Sequence, residues 1–170
     1  RKVDNIDINA FIELIDKRIE DNGVIDGIVS YFDFPGTTLV PIIAKKHGIP
    51  GTSLESVLKC ENKYWSRLEQ SKVISDHIPM FKAFDPFDEN AFEKIEMITP
   101  YWTKPIKSFR SFLAYKINGE EQFYNNMEEV RKHIDHISEP FNVIMKDNNI
   151  PAEFSEMKET CIAESSLTGH

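Results

Sequence analysis

One lysine lies in the middle of a predicted β-strand, where a charged side chain is costly. The strand covers residues 101–106, and alternation along it places Lys104 and Trp102 on one face and Thr103 on the other. An ammonium group at that position costs free energy unless it is paired or faces a cleft. Pro105 lacks a donor for the ladder, which indicates a strand end or sheet edge, where a lysine can also reach solvent. Position alone leaves both interpretations of Lys104 open.

A second lysine and a glutamate could act together with Lys104. Lys63 stands near the start of a predicted helix over 61–71, and Glu164 directly follows a predicted strand over 160–163. Lysine is a compact point charge on a flexible stem, which suits it to a phosphate oxygen. From position alone, a solvated helix lysine and an exposed glutamate at a turn are the simpler interpretations.

The segment that follows the Lys104 strand, residues 107–111, is polar and contains no glycine. Ser108, Arg110 and Ser111 provide hydrogen-bond donors there. Arg110 could bind a phosphate through two parallel hydrogen bonds, or its side chain could remain in solvent. Close approach of a backbone to a phosphate favours glycine, so the composition of this segment argues against tight phosphate binding.

Two other pairs of reactive residues carry less weight, and we predict no metal ligands in the chain. His133 and His136 have a spacing that could ligate a metal on a helix, but no cysteine or carboxylate obviously completes the site. A solvated helix face explains them better. Cys60 and Cys161 are far apart in sequence, which is typical of two reduced thiols rather than a disulfide or a zinc site.

The first third of the chain alternates between helix and strand patterns. Apolar residues at helical spacing predict a helix over 8–19, and an apolar run predicts a largely buried strand over 24–32. A helix over 39–47 follows, and Ser53 can cap a further short helix. This alternation predicts a parallel sheet.

The remainder of the chain is predicted to be richer in strands. The predicted elements after the helix over 61–71 are a strand over 78–84, a short helix over 90–95, strands over 101–106 and 112–117, an amphipathic helix over 120–137, and strands over 141–145 and 160–163. A polar loop is predicted over 147–158. A strand that carries Lys104 and then returns predicts a small antiparallel sheet.

The composition is that of an ordinary globular protein, with 41% apolar and 28% charged residues among 170. A net charge of −8 argues against a general affinity for nucleic acid, although it allows one local basic pocket. We expect a cytoplasmic protein without a membrane partner, because no apolar run approaches the roughly twenty residues that span a bilayer and the first residues do not form a signal peptide. The chain starts without Met, and we expect it to be a piece of a longer protein.

Several segments follow one another in the order found in ATP-grasp enzymes, and the chain resembles that superfamily from about residue 23 onward. The matching segments are the strand and helix at 26–29 and 39–51, the acidic–lysine helix start at 61–67, the proline-containing segment at 75–81, the Lys-Pro strand at 101–106, the return strand at 111–115 and the hinge at 161–169. Each segment alone is a weak match. Their order and spacing together make the resemblance specific.

The resemblance implies which residues bind the phosphates of ATP. It assigns Lys63 and Lys104 to the α- and β-phosphates, where fixed positive charge is needed in a partly desolvated cleft. It also implies that the loop 107–111 closes over the phosphates. Ser111, at the end of this loop, matches the small residue that begins the return strand.

The resemblance also implies an adenine site at the hinge. Adenine needs an acceptor for its amino group, a donor for a ring nitrogen and apolar walls. The residues assigned to it are Ile162 as a wall, Glu164, and the backbone of Ser165, Ser166 and Leu167.

The fold class that the resemblance implies is α/β, in two parts. Residues 1–57 would be a partial Rossmann-like pre-ATP-grasp domain. Residues 58–170 would be the amino-terminal part of the ATP-grasp domain, an α+β lobe with an antiparallel sheet that ends at the hinge. A homodimer is one open arrangement.

The whole protein is then expected to be an ATP-dependent ligase. It would activate a small-molecule carboxylate as an acyl phosphate for attack by an amine, thiol or similar nucleophile, with Mg²⁺ bound by residues beyond this chain. The chain alone is expected to be inactive. The alternative is a non-catalytic nucleotide-binding or interaction module with a degenerate ATP-grasp fold, which the loop without glycine favours.

Overall fold

A four-stranded sheet with helices on both sides organises the chain in the computed structural model, which describes residues 6–148, 150–157 and 159–167. The elements in chain order are α1 (Ile8–Asn22), α2 (Gly36–Lys46), α3 (Leu54–Glu61), α4 (Lys63–Ile74), β1 (Phe81–Phe84), α5 (Ala91–Ile95), β2 (Tyr101–Pro105), β3 (Tyr115–Ile117), α6 (Glu120–His133), α7 (Asp135–Asp147), α8 (Ala152–Ser155) and β4 (Cys161–Ser165). A short 3₁₀ turn, Ser75–His77, follows α4. Among the helices in this part of the chain, none combines the length and apolar character that crossing a bilayer takes.

The last strand of the chain lies in the interior of the sheet. The strand order is β1-β4-β2-β3, and every neighbouring pair is antiparallel. In the pairing of β2 with β4, Trp102 lies opposite Glu164 and Lys104 lies opposite Ile162. The predicted antiparallel sheet that carries Lys104 is confirmed, and the register brings Glu164 beside that lysine.

One face of the sheet packs against α5 and α6 and forms the larger core. Tyr101 and Ile117 from the sheet lie against Phe123, Met127 and other apolar residues of α6. These side chains are almost completely buried, and each contributes roughly 1.5–3 kcal/mol of transfer free energy. Thr103 also faces this side, so the predicted alternation along β2 is confirmed.

A second apolar cluster fixes α4 from its other side. Trp65 of α4 stacks on Phe154 with ring centroids 4.1 Å apart, and Phe34 meets Phe141 edge-on. The start of α4 is set by Asn62, whose side-chain oxygen accepts hydrogen bonds from the backbone N–H groups of the first turn at 3.0 and 3.1 Å. The helix therefore begins at Lys63 and packs through Trp65 against this cluster.

The predicted strand over 24–32 is wrong, and with it the predicted parallel sheet. The segment has no strand structure, and Val24, Val29 and Tyr31 are almost fully exposed. A strand of this apolar composition is stable when neighbouring strands satisfy its backbone and cover its faces. No strand of the described residues precedes β1, so the Rossmann-like character expected for 1–57 is not observed. The boundary expected at 57/58 falls inside α3 and stays a prediction.

Three further predictions in the second half differ from the structure. Residues 141–145 belong to α7 and not to a strand, because Phe141, Ile144 and Met145 bury one helical face at spacings of three and four. The single helix predicted over 120–137 is two helices that meet at Ile134. The polar stretch predicted as a loop over 147–158 contains the short helix α8, whose Phe154 packs on Trp65.

Candidate functional site: a cationic cleft between α4 and the sheet

A cavity of about 540 Å³ lies between α4, the open face of β2 and β4, and the loop that follows β2. Its charged lining residues are Lys63, Arg67, Lys104, Arg110 and Glu164. Four cations against one carboxylate make this a strongly positive cleft in a chain whose net charge is −8. Such a concentration of charge is costly without a counter-ion, so the cleft is suited to an anion.

Most of the residues that the sequence assigned to nucleotide binding meet in this cleft. Lys63, Lys104, Ser111, Glu164, Ser165 and Leu167 all line it. The other two lie outside its lining. Ile162 is completely buried opposite Lys104, and the hydroxyl of Ser166 donates to the Pro100 carbonyl at 2.9 Å.

Glu164 is bound by two cations at the centre of the cleft. Arg67 Nε donates to Glu164 Oε1 at 2.5 Å, and the Lys104 ammonium pairs with Glu164 Oε2. Burial by itself raises the pKa of Glu164, but the hydrogen bonds from Lys104 and Arg67 outweigh it and leave the pKa below its usual value. Glu164 is therefore held as a carboxylate, only 5% exposed.

Sequence reasoning missed Arg67. The signal was available, since Arg67 follows Lys63 by four residues on a predicted helix and must share its face. What the sequence could not indicate is the partner, because Glu164 is 97 residues away and reaches α4 only when β4 enters the sheet.

Lys63 lies at the edge of the cleft, where its positive charge is disfavoured by burial and by nearby lysines. Its ammonium donates to the Ser108 carbonyl at 2.6 Å, and its backbone N–H donates to the Ile106 carbonyl at 2.8 Å. Burial, together with the like charges of Lys107 and Lys104, lowers the pKa of Lys63 to about 8. A bound anion would relieve this repulsion.

Lys107 begins the loop that the sequence assigned to phosphate closure, but its side chain turns into the interior. It forms an ion pair with Glu61 at 3.0 Å and lies over the rings of Phe34 and Phe141. The hydroxyls of the adjacent Thr37–Thr38 pair also donate to Glu61, at 2.5 and 2.6 Å. Lys107 therefore anchors the base of the loop, and only Ser108 to Ser111 line the cleft.

The loop adopts left-handed backbone conformations without glycine. Arg110, Ser111 and Leu113 have φ values of 53°, 58° and 54°. Each such residue costs about 1–2 kcal/mol relative to the usual helical or extended regions. Arg110 is exposed and lines the cleft, so both interpretations of its side chain remain open.

A second cavity of about 510 Å³ adjoins the cleft and shares Lys63 and Ser108 with it. Asp33, Thr37 and Cys60 are among its other lining residues. The charge of Asp33 acts on both Lys63 and Lys107 and favours their protonated forms. Lys63 thus lies at the boundary between a cationic cavity and one in which two lysines, Lys63 and Lys107, face two carboxylates, Asp33 and Glu61.

The two histidines that could ligate a metal by their spacing line neither of these cavities. His133 and His136 are about half exposed, and each faces a neighbouring carboxylate, Glu129 and Asp135 respectively. In the part of the chain that the structure describes, no group of three or more His, Cys, Asp or Glu residues could hold a metal ion.

Two solved structures resemble the chain over most of its length. An L-amino acid ligase from Bacillus licheniformis matches with a TM-score of 0.61 at 15% identity, over 95% of this chain and 31% of that one. A D-alanyl-alanine synthetase A from Vibrio cholerae matches with a TM-score of 0.53 at 18% identity, over 79% of this chain and 36% of that one. The chain thus spans about a third of the length of each enzyme.

The chain has the fold of the corresponding part of both enzymes. The resemblance read from the sequence is confirmed at the level of fold. No protein-family model matches the sequence, and no curated protein matches it either. The homodimer stays a prediction.

Proposed function

We propose that the chain is the nucleotide-binding part of an ATP-dependent ligase that activates a carboxylate as an acyl phosphate for attack by an amine or similar nucleophile. The observation that carries the proposal is the cleft itself, with four cations around one carboxylate in an acidic chain. The ligase fold of the neighbours and the names they carry, which refer to amino acids and alanine, support the same class.

Lys63 and Lys104 would bind the phosphates of ATP. They approach the cleft from opposite sides, Lys63 from α4 and Lys104 from β2. Two fixed ammonium groups in a partly desolvated site attract a polyphosphate and orient it. The lowered pKa of Lys63 supports this role, because phosphate charge would restore its full protonation.

The adenine would lie at the open end of the cleft, along the chain that leaves β4. Ser165 and Leu167 line this end, and Trp102 provides a half-exposed aromatic surface beside them. An extended backbone offers both the donor and the acceptor that adenine needs. The carboxylate of Glu164 already binds two cations, which limits what it can give to the adenine amino group.

The carboxylate substrate would occupy the second cavity, next to Lys63. A carboxylate oxygen would attack the γ-phosphorus, the bond to the β,γ-bridging oxygen would break, and ADP would leave. An amine would then attack the acyl carbon and displace phosphate. Lys63 borders both cavities and would offset charge on both reactants. Among the described residues no group of three or more His, Cys, Asp or Glu side chains could hold a metal ion, and Mg²⁺ would be bound by residues outside this chain.

The second candidate is a nucleotide-binding module without ligase activity. The loop 108–113 favours it, because three non-glycine residues there adopt left-handed conformations at a position where glycine would approach a phosphate more easily. An ADP-release assay distinguishes the ligase from the module, if it uses a longer protein that spans the full length of the neighbours. A ligase forms ADP only when a carboxylate substrate is present, whereas a module binds ATP without consuming it.

An NMR titration of the labelled chain with ATP and magnesium tests the binding proposal directly. We expect a dissociation constant of order millimolar, about −4 kcal/mol, because one lobe covers only part of the ligand. The first shifts should appear at residues 165–167, and Lys72→Ala, on the same helix as Lys63, is a control that should leave them unchanged. Micromolar affinity would contradict the need for a second lobe. Shifts confined to His133 and His136 would contradict the site.

A further inference from the structure

Arg67 is one of the two cleft cations, with Arg110, that the proposed function leaves without a task. It extends from α4 one turn after Lys63 and ends on Glu164, the same carboxylate that pairs with Lys104. We infer that Arg67 is a positioning residue, which holds Glu164 so that Lys104 keeps positive charge available for the phosphates. This inference rests on the proposed nucleotide site.

The guanidinium of Arg67 is fixed from two directions. Nε donates to Glu164 Oε1 at 2.5 Å, while one terminal nitrogen donates to Gln70 Oε1 at 2.6 Å. Gln70 in turn donates to the Ser66 hydroxyl at 3.3 Å. A side chain held at both edges of its plane loses little further entropy when it orients a partner. Glu164 therefore meets a prearranged donor and not a mobile one.

The electrostatic consequence concerns Lys104. Glu164 divides its two oxygens between Arg67 and Lys104, so one carboxylate is shared by two cations. Without Arg67, the same buried carboxylate would have Lys104 as its only cationic partner, and the pair would be close to neutral. The Lys104 ammonium would then attract a polyphosphate less strongly.

Arginine suits this task better than lysine. A planar guanidinium can donate to Glu164 and Gln70 at once, whereas an ammonium on a flexible stem is a single point charge. A lysine at position 67 would restore the charge of the cleft but not the two-sided geometry. Arg67→Lys thus separates positioning from simple attraction.

The competing interpretation is that Arg67 binds the phosphates itself, since its side chain also lines the cleft. A double-mutant cycle distinguishes the two. Wild type, Arg67→Gln, Glu164→Gln and the double variant are titrated by NMR with ATP and, separately, with inorganic triphosphate. If Arg67 acts through Glu164, removing the carboxylate removes most of the effect of Arg67.

We expect Arg67→Gln to weaken ATP binding about fivefold in the wild-type background and less than twofold in the Glu164→Gln background. Arg67→Lys should recover less than half of the loss. Circular dichroism and thermal unfolding of every variant establish that the fold is intact. If Arg67→Gln does not fold, a cycle of wild type, Arg67→Lys, Glu164→Gln and their double variant tests whether the geometry of Arg67 acts through Glu164.

Four results would contradict the inference, the nucleotide proposal or both. Equal losses in both backgrounds would make Arg67 a direct phosphate ligand and leave the nucleotide site standing. Full rescue by Arg67→Lys would reduce its role to charge. Binding of triphosphate without binding of ATP would overturn the nucleotide proposal, and the triphosphate cycle would still decide the role of Arg67. If wild type binds neither probe, both proposals fail.

Discussion

The two halves of the molecule carry similar sequence patterns but reach different structures. In the second half, each strand finds its partners inside the described chain, and β4 is covered by β1 on one side and β2 on the other. In the first half, residues 24–32 have an equally apolar pattern but no partner strand, and Val29 remains 92% exposed. An apolar run therefore forms a strand only where another strand can satisfy the hydrogen bonds of its backbone.

The largest effect on stability is expected when a buried aromatic ring is removed from the sheet core. Phe123→Ala should lower the free energy of unfolding by about 3–5 kcal/mol, because Phe123 is completely buried against the sheet. Val29→Ala, the control in the exposed segment, should change it by about 0.5 kcal/mol or less. Urea unfolding of both variants measures the difference. A cost above about 2 kcal/mol for Val29→Ala would mean that the segment is packed after all.

The second test concerns the cationic face of the sheet in the second half. Lys104→Ala should weaken ATP binding by about 1.5–3 kcal/mol, the range for a charge-assisted hydrogen bond. Lys104→Arg should also bind poorly, because a planar fork does not replace a point charge in a tight cleft. Lys116→Ala on the exposed edge of β3 is the matched control. Unchanged affinity for both Lys104 variants in calorimetry would remove this lysine from the site.

The third test uses the pH dependence of stability. The pKa of Lys63 is about 8 in the folded chain and near 10.5 when unfolded, so the unfolded state binds more protons between these values and stability rises with pH across them. Lys63→Met should therefore stabilise the fold by about 1 kcal/mol at pH 7, after allowance for solvent screening and the lost hydrogen bond. The gain should disappear by about pH 10.5.

Thermal unfolding at pH 7 and pH 10 measures this effect, with Lys72→Met on the same helix as the control. A stabilisation by Lys63→Met that is equal at both pH values would show that its charge is not strained. Destabilisation at pH 7 would indicate that the hydrogen bond to the Ser108 carbonyl outweighs the repulsion.

The smallest effect is expected in the loop after β2. Ser111→Gly should raise the free energy of unfolding by about 0.5–1 kcal/mol, because the left-handed conformation at φ 58° has no steric cost for glycine. Ser108→Gly should lower stability, since Ser108 is not among the residues with positive φ. Equal effects of the two substitutions in urea unfolding would contradict the proposed strain.

The parts of the structure that the sequence predicted are those with local causes. Ser53 begins the short helix that the sequence predicted after it, because a capping side chain acts within three residues. Lys104 and Trp102 share a face because alternation along a strand is obligatory. The order of the ATP-grasp segments added Lys63 and Glu164 to the same site, and both line the cleft.

The parts that could not be predicted depend on distant partners. The run 141–145 is too short for its period to separate helix from strand, and only its packing against Phe34 decides the matter. The inward turn of Lys107 depends on its ion pair with Glu61, which lies 46 positions earlier in the chain, and no local pattern indicates a pairing over that distance. The pairing of Arg67 with Glu164 likewise depends on the strand order.

The central position of β4 also affects folding of the chain during its synthesis on the ribosome. Strands β1 and β2 are not neighbours, so neither gains its inner partner until residues 161–165 have left the exit tunnel. Until then the apolar strands of the nascent chain are open to aggregation or to chaperones. Pairing over so long a sequence separation is slow. Because Glu164 arrives on that same strand, the sheet and the charge balance of its cleft are completed in a single step.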